Sequence, residues 1–290
     1  MLGLDTKKIK TGIVAISLCV GYLAIPSVYA EEIELVTNMD FPPFITDEIA
    51  SGGLFTELVR ASFAEVGVTL KLRLMPWKRA HRALELGEIT GTFSWAHTKE
   101  REEKFLLSRP MFRSEAVFVS RVENFKYPDT FHEKHSKGKP LVLCSPLGWT
   151  LPVFAEDMKN KGVLEVALPP SIESCFRMIF TGRVDIVFVQ RLALGSNIRI
   201  LLAEGIRPGP LFFHRAPDDI YFGNTHILFA RTQAGEKAKA LYDKGFEALV
   251  EKGRYLEIIS PYLVGLPMEI QKDIKAGLSD IGVLHDGREE

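Results

Sequence analysis

The chain has 290 residues, with 36 Lys and Arg against 37 Asp and Glu and a formal net charge of −1. That length suits one large or two small domains. The balanced charge, with no clustered basic excess and no low-complexity run, argues against a nucleic-acid binder while leaving room for a local basic cleft.

Lys7, Lys8 and Lys10 precede an apolar run over residues 13–25, and Val28 and Ala30 place small side chains at a cleavage position. This is the pattern of an export signal, with cleavage expected after Ala30. The other reading, an uncleaved membrane anchor, is weakened by the shortness of the run and by Pro26 ahead of the cleavage position. Cys19 follows Leu18 rather than a small residue, which argues against lipid attachment. Without the leader two cysteines remain, Cys144 and Cys175. An even pair in an exported chain suggests a disulfide. Two separate buried thiols are the alternative.

Residues 33–37 are β-rich and predict a first strand, ending in a loop that Pro42 and Pro43 keep extended. Gly52-Gly53 opens an amphipathic helix with Leu54, Leu58, Val59 and Phe63 on one face, and Gly67 stops it. Residues 68–75 alternate, with Val68, Leu70, Leu72 and Leu74 on one side. Pro76-Trp77 starts a second helix that ends at Gly87. Residues 89–95 predict a third strand. Thr98 is a good helix N-cap, with Glu100, Glu102 and Glu103 in the turn that follows. Arg101 therefore falls in the first turn of a short helix, just past a strand end.

Residues 116–120 predict a strand leaving this β-α-β-α-β unit, and residues 124–140 a polar surface excursion. The same order then repeats. Residues 141–144 predict a strand, and Thr150 caps a helix with Pro152 in its first turn. Residues 164–168 predict a strand, 171–180 a helix and 184–190 another strand. A strand over 225–231 and an amphipathic helix over 235–250 follow, and beyond Gly265 a short helix and a polar tail. Two such repeats define an α/β protein with mostly parallel sheets.

Asp40-Phe-Pro-Pro-Phe44, Thr98-x-x-Arg101, Phe105-x-x-Ser108-x-Pro110-x-Phe112 and Gly253-Arg-Tyr-Leu-Glu-Ile-Ile occur in an order and spacing that resemble the extracellular solute-binding proteins of family 3. These are the polar-amino-acid binders of bacterial ABC importers. The resemblance covers roughly residues 33 to 264. It implies a type II periplasmic binding protein fold with two hinge crossings. One lobe would comprise residues 31–113 plus 225–264, the other 117–222, with 265–290 as a C-terminal tail. It also implies a monomer in the periplasm that delivers a small solute to an inner-membrane ABC permease.

The resemblance assigns Arg101 the role of carboxylate clamp. The residues alone favour a surface arginine paired with an acid such as Glu100 or Glu103. Phe41 and Trp77 are candidate aromatic platforms, and Phe44 is expected to pack beneath the loop. Ser94 matches a hydroxyl that completes the carboxylate shell. Thr150 matches a ligand position at a helix N-terminus and serves equally as its cap. Two positions depart from the pattern. Ala96 replaces a usual serine or threonine. Gln190 replaces the aspartate that holds a ligand ammonium, and an amide supplies no charge. Either another acid such as Glu173 substitutes, or the ligand is not a simple amino acid. Asp185 reads as structural.

The chain carries no Cys-x-x-Cys, His-Glu-x-x-His, phosphate loop or Gly-x-Ser-x-Gly. His132-x-x-His135 lies in a polar segment and reads as solvated rather than metal-bound. No cofactor is expected. Two other functions stay open: an exported enzyme of the dehydratase kind on the same scaffold, with His97 or Glu173 as acid or base, and a ligand-sensing subunit for a membrane receptor.

Overall fold

The computed structural model describes residues 31–149, 151–207, 209–216 and 222–284. The expected export signal and Thr150 lie outside the described residues. β1 (Glu31–Thr37), α1 (Leu54–Glu65), β2 (Val68–Leu74), α2 (Trp77–Glu85) and β3 (Gly91–Ala96) open the chain. β1 pairs in parallel with both β2 and β3. β2 is an edge strand whose apolar face loses cover along its length: Val68 is buried, Leu70 and Leu72 are half-buried against the core, and Leu74 is 57% exposed.

After α3 (Lys99–Lys104) and the short β4 (Leu106–Leu107), β5 (Phe112–Ser120) runs through the middle of the molecule. Its first half, to Glu115, pairs with β10 (Phe222–Phe229). Its second half, from Ala116, pairs with β8 (Ile186–Gln190) and β9 (Phe212–Arg215). β6 (Leu141–Cys144) lies parallel to β8 and to β7 (Leu164–Ala167). The strand order is therefore β2-β1-β3-β10-β5-β8-β6-β7, two sheets sharing one strand. The parallel strand ends of both sheets face the region where that sharing occurs, which is where ligands collect in open α/β sheets.

Residues 124–140, expected as a polar excursion, contain α4 (Asp129–Ser136). Phe125 and Phe131 are buried there. Their rings meet at 5.3 Å, and Phe125 lies 5.1 Å from Phe118 of β5. The surrounding lysines hid two core residues. The second sheet is completed by α5 (Val153–Asn160) and α6 (Ile172–Phe180), the latter capped by Ser171, whose hydroxyl accepts the Ser174 N–H at 3.2 Å. Pro152, expected in the first turn of α5, stands at its cap position instead.

α7 (Arg191–Ala203) starts directly after β8 with no side-chain cap. α8 (Gln233–Glu251) and α9 (Arg254–Leu263) close the first sheet's outer layer. The helix expected after Gly265 is α10 (Met268–Asp280), which docks on β5 and buries Ile274, Gly277 and Leu278. A Cβ at position 277 would stand 2.7 Å from the Arg113 carbonyl oxygen, so only glycine permits that approach. Arg113 Nε meets Asp280 Oδ2 at 3.0 Å, and Arg191 meets the buried Glu115 at 2.7 Å.

Candidate ligand-binding cleft

The Asp40–Phe44 loop after β1, the start of α2, the end of β3 and α3 come together on one side of a cavity. The loop after β6 and the end of β8 face them. The cavity is about 120 Å³ and is lined by Phe41, Trp77, Ser94, Trp95, Ala96 and Arg101 from the first group and by Gly148, Trp149 and Gln190 from the second. Gly223, Asn224 and Thr225 of β10 form its floor. Five of the six predicted binding residues thus share one hollow. The sixth, Thr150, lies outside the described residues.

Arg101 is held by its local sequence. Thr98 caps α3, its hydroxyl accepting the Arg101 N–H at 3.2 Å. The guanidinium donates to the Ala96 carbonyl at 2.7 Å and lies 4.7 Å from the Trp95 ring centroid. The residue is only 7% exposed, so it is no surface arginine. Glu100 is instead paired with Lys104 at 2.7 Å. Burial pushes the Arg101 pKa down to about 10, against the opposing pull of Glu100, and the group stays protonated at neutral pH.

Ser94 adopts φ of 78°, a left-handed conformation that costs a non-glycine residue roughly 1–2 kcal/mol. Its hydroxyl is buried and has no hydrogen-bond partner. A strained backbone presenting an unsatisfied hydroxyl to a hollow beside a buried cation is a costly arrangement for the unliganded fold. An anion there would accept from the Ser94 hydroxyl and lie against the Arg101 guanidinium.

The aromatic walls are fixed in turn. Trp77 donates its indole N–H to Asp40 at 2.9 Å and meets Trp95 edge to face at 5.4 Å. Burial raises the Asp40 pKa, with the Trp77 bond pulling the other way. Phe41 meets Trp149 at 4.8 Å. All three tryptophans of the chain line this cavity. Phe44 is fully buried and stacks on Phe55 at 4.4 Å, beneath the loop as expected. Gly148, at φ of 92°, lets the loop after β6 approach Trp77 and Lys78, which a Cβ there would meet at 3.3–3.4 Å.

Glu173 does not substitute for the missing acid. It pairs with Arg177 of its own helix at 2.6 Å and lines neither this cavity nor the one beside it. Among the described residues no carboxylate lines the cavity. Asp185 accepts the Val142 N–H at 2.9 Å at the foot of β8, a structural role. His97 meets Glu102 at 3.1 Å, with both side chains well exposed. Cys144 and Cys175 lie at bonding distance, Cα atoms 5.5 Å apart. Sequence reasoning missed Trp95, placed only within the third predicted strand, and the Gly223–Thr225 floor, which arrives from far along the chain.

A larger hollow of about 480 Å³ lies between the loop after β1, α7 and α9. Its charged members, Glu48 and Arg199, are both exposed, so nothing there fixes a charged ligand. Among the described residues no cluster of His, Cys, Asp and Glu could hold a metal ion, and no helix is long and apolar enough to cross a membrane.

Two α/β lobes with an aromatic-walled hollow between them define a cleft-binding protein of the type II periplasmic fold. The chain belongs to the bacterial extracellular solute-binding proteins, family 3, whose family model matches residues 33–265. No curated protein matches the chain. Among solved structures, the arginine-, lysine- and histidine-binding protein ArtJ from Geobacillus stearothermophilus superposes with a TM-score of 0.65 at 15% identity, covering 87% of this chain and 100% of that one. A Streptococcus mutans structure described for glutathione import through GshT and the cystine importer TcyBC gives 0.65 at 19% identity, covering 84% and 99%. An ancestral amino-acid-binding protein, described as a precursor of cyclohexadienyl dehydratase, gives 0.61 at 14%, covering 80% and 94%.

Proposed function

We propose that this protein, exported to the periplasm and cleaved after Ala30, captures a small carboxylate-bearing solute between its lobes and presents it to an inner-membrane ABC permease. The observation that carries this is the pairing of a buried, protonated Arg101 with the unsatisfied Ser94 hydroxyl in one interlobe hollow. A carboxylate accepts hydrogen bonds from both and offsets the guanidinium's burial. The family membership and the amino-acid-binding neighbours support the same role. Gln190 offers a ligand ammonium no ion pair, so the carboxylate is the dominant handle. The lobes close on the solute by its differential affinity for the closed state. Cys144 and Cys175 are bridged, and the protein acts as a monomer.

A panel of amino acids, polyamines and small carboxylic acids in a thermal-shift assay tests this. Carboxylates should give saturable shifts that Arg101→Met abolishes, without conversion of the ligand. A second reading, an enzyme, draws on the His97–Glu102 pair and the dehydratase-related neighbour. Product formation lost on His97→Gln would favour it.

A further inference from the structure

The hollow at Arg101 does not end at the strand ends. A second hollow of about 210 Å³ adjoins it, sharing Ala96, Trp149, Gln190 and Gly223 as common walls. Past this boundary the second hollow is chiefly apolar, with Leu143, Leu151, Val153, Phe188 and Val189 around it. Leu143 and Val189 form a buried floor, whereas Val153 stands 82% exposed at the rim. His97, Thr98 and Ser145 are its polar members, and among the described residues no acid lines it.

The boundary is where the sequence departs from the pattern of polar-amino-acid binders. Ala96 contributes a methyl group where a hydroxyl would stand, and Gln190 a neutral amide where a carboxylate would stand. A hydrocarbon chain passing an ionised carboxylate would strip its water at high cost, whereas an amide keeps hydrogen bonds available at its edges. Both changes therefore favour an apolar group crossing the boundary.

We infer that the ligand is an extended monocarboxylate: its acid end meets Arg101 and Ser94, and an apolar chain passes Ala96 and Gln190 into the second hollow. This rests on the carboxylate reading of Arg101. The acid end fixes orientation, and the chain contributes affinity through the area it removes from water.

The test is titration calorimetry of the mature protein with straight-chain monocarboxylates from acetate to decanoate. Affinity should rise about three- to fourfold per methylene once the chain passes the boundary. Octanoate should bind at least about thirtyfold more tightly than butyrate. Val153→Asp, at an exposed position that does not threaten folding, should weaken octanoate at least about tenfold more than butyrate. An affinity that is flat along the series, or no binding by any member at millimolar concentration, overturns the extended ligand. If amino acids then bind in an Arg101-dependent manner, the carboxylate reading survives alone. If the series binds but Arg101→Met changes no affinity, the reading beneath the inference fails instead.

Discussion

The Phe41 and Trp149 rings meet edge to face with centroids 4.8 Å apart, one from the loop after β1 and the other from the loop after β6. They join opposite walls of the cleft, so under the proposed closure this contact helps hold the lobes together. Trp149→Ala should weaken ligand binding roughly three- to tenfold, the worth of one aromatic pair, with little change in Tm. Calorimetry measures the first and a thermal melt the second. An unchanged affinity would mean that closure does not depend on this contact.

Ser94 illustrates stability given up for a site. Ser94→Gly removes the cost of φ of 78° and the unsatisfied hydroxyl together. It should stabilise the unliganded protein by about 1 kcal/mol in urea unfolding while lowering carboxylate affinity roughly tenfold. Loss of both stability and affinity would show the hydroxyl to be structural.

The sequence made parts of this site legible because they are local. The Thr98 cap and the strand before it place Arg101 within a few residues, and short-range rules suffice for that. Trp77 follows from a helix start at Pro76 in the same way. The β-α-β-α-β order was readable twice over from periodicity. What could not be read depends on distant pairing. Gly223 and Asn224 reach the cleft only because β10 inserts between β3 and β5. Phe125 and Phe131 looked like isolated aromatics in a basic stretch until Phe118 was set beside them. α7 has no capping side chain and carries Gly195 at mid-length, so no local signal marks it. The packing of α10 against β5 likewise depends on Gly277 meeting Arg113, over a separation that no local pattern encodes.

The Cys144–Cys175 pair joins the end of β6 to α6, with a sequence separation of 31. Cys144 also belongs to the second hollow's wall. Replacing both by serine should cost roughly 3–4 kcal/mol of unfolding free energy in the chain-entropy model. A reducing agent should lower the Tm of the wild type and leave the double variant unaffected. If reduction leaves the wild type's Tm unchanged, the two thiols are not bridged.

His226 in β10 is 6% exposed and hydrogen-bonds the Ser108 carbonyl through Nδ1 at 2.8 Å, so Nδ1 carries the proton. Nε2 is buried with no hydrogen-bond partner. Burial lowers its pKa below the usual histidine value, and nearby His97 pushes the same way. The unfolded chain therefore binds a proton more readily than the folded one. The stability contribution is complete above the unfolded value, about 6.5, and is lost as pH falls through the folded pKa. His226→Asn keeps an N–H for Ser108 and cannot titrate. Its Tm should fall less than the wild type's between pH 7.5 and 5. Equal falls would place the acid sensitivity elsewhere.

The clamp role of Arg101 is tested by the carboxylate affinity of Arg101→Met beside the wild type, with Tm measured on the same samples. A buried charge-assisted contact predicts a loss of at least about thirtyfold at neutral pH. In the wild type, affinity should hold from about pH 6 to 9, because the guanidinium keeps its proton across that range. An Arg101→Met protein that melts like the wild type and binds the same carboxylate equally well would contradict the account.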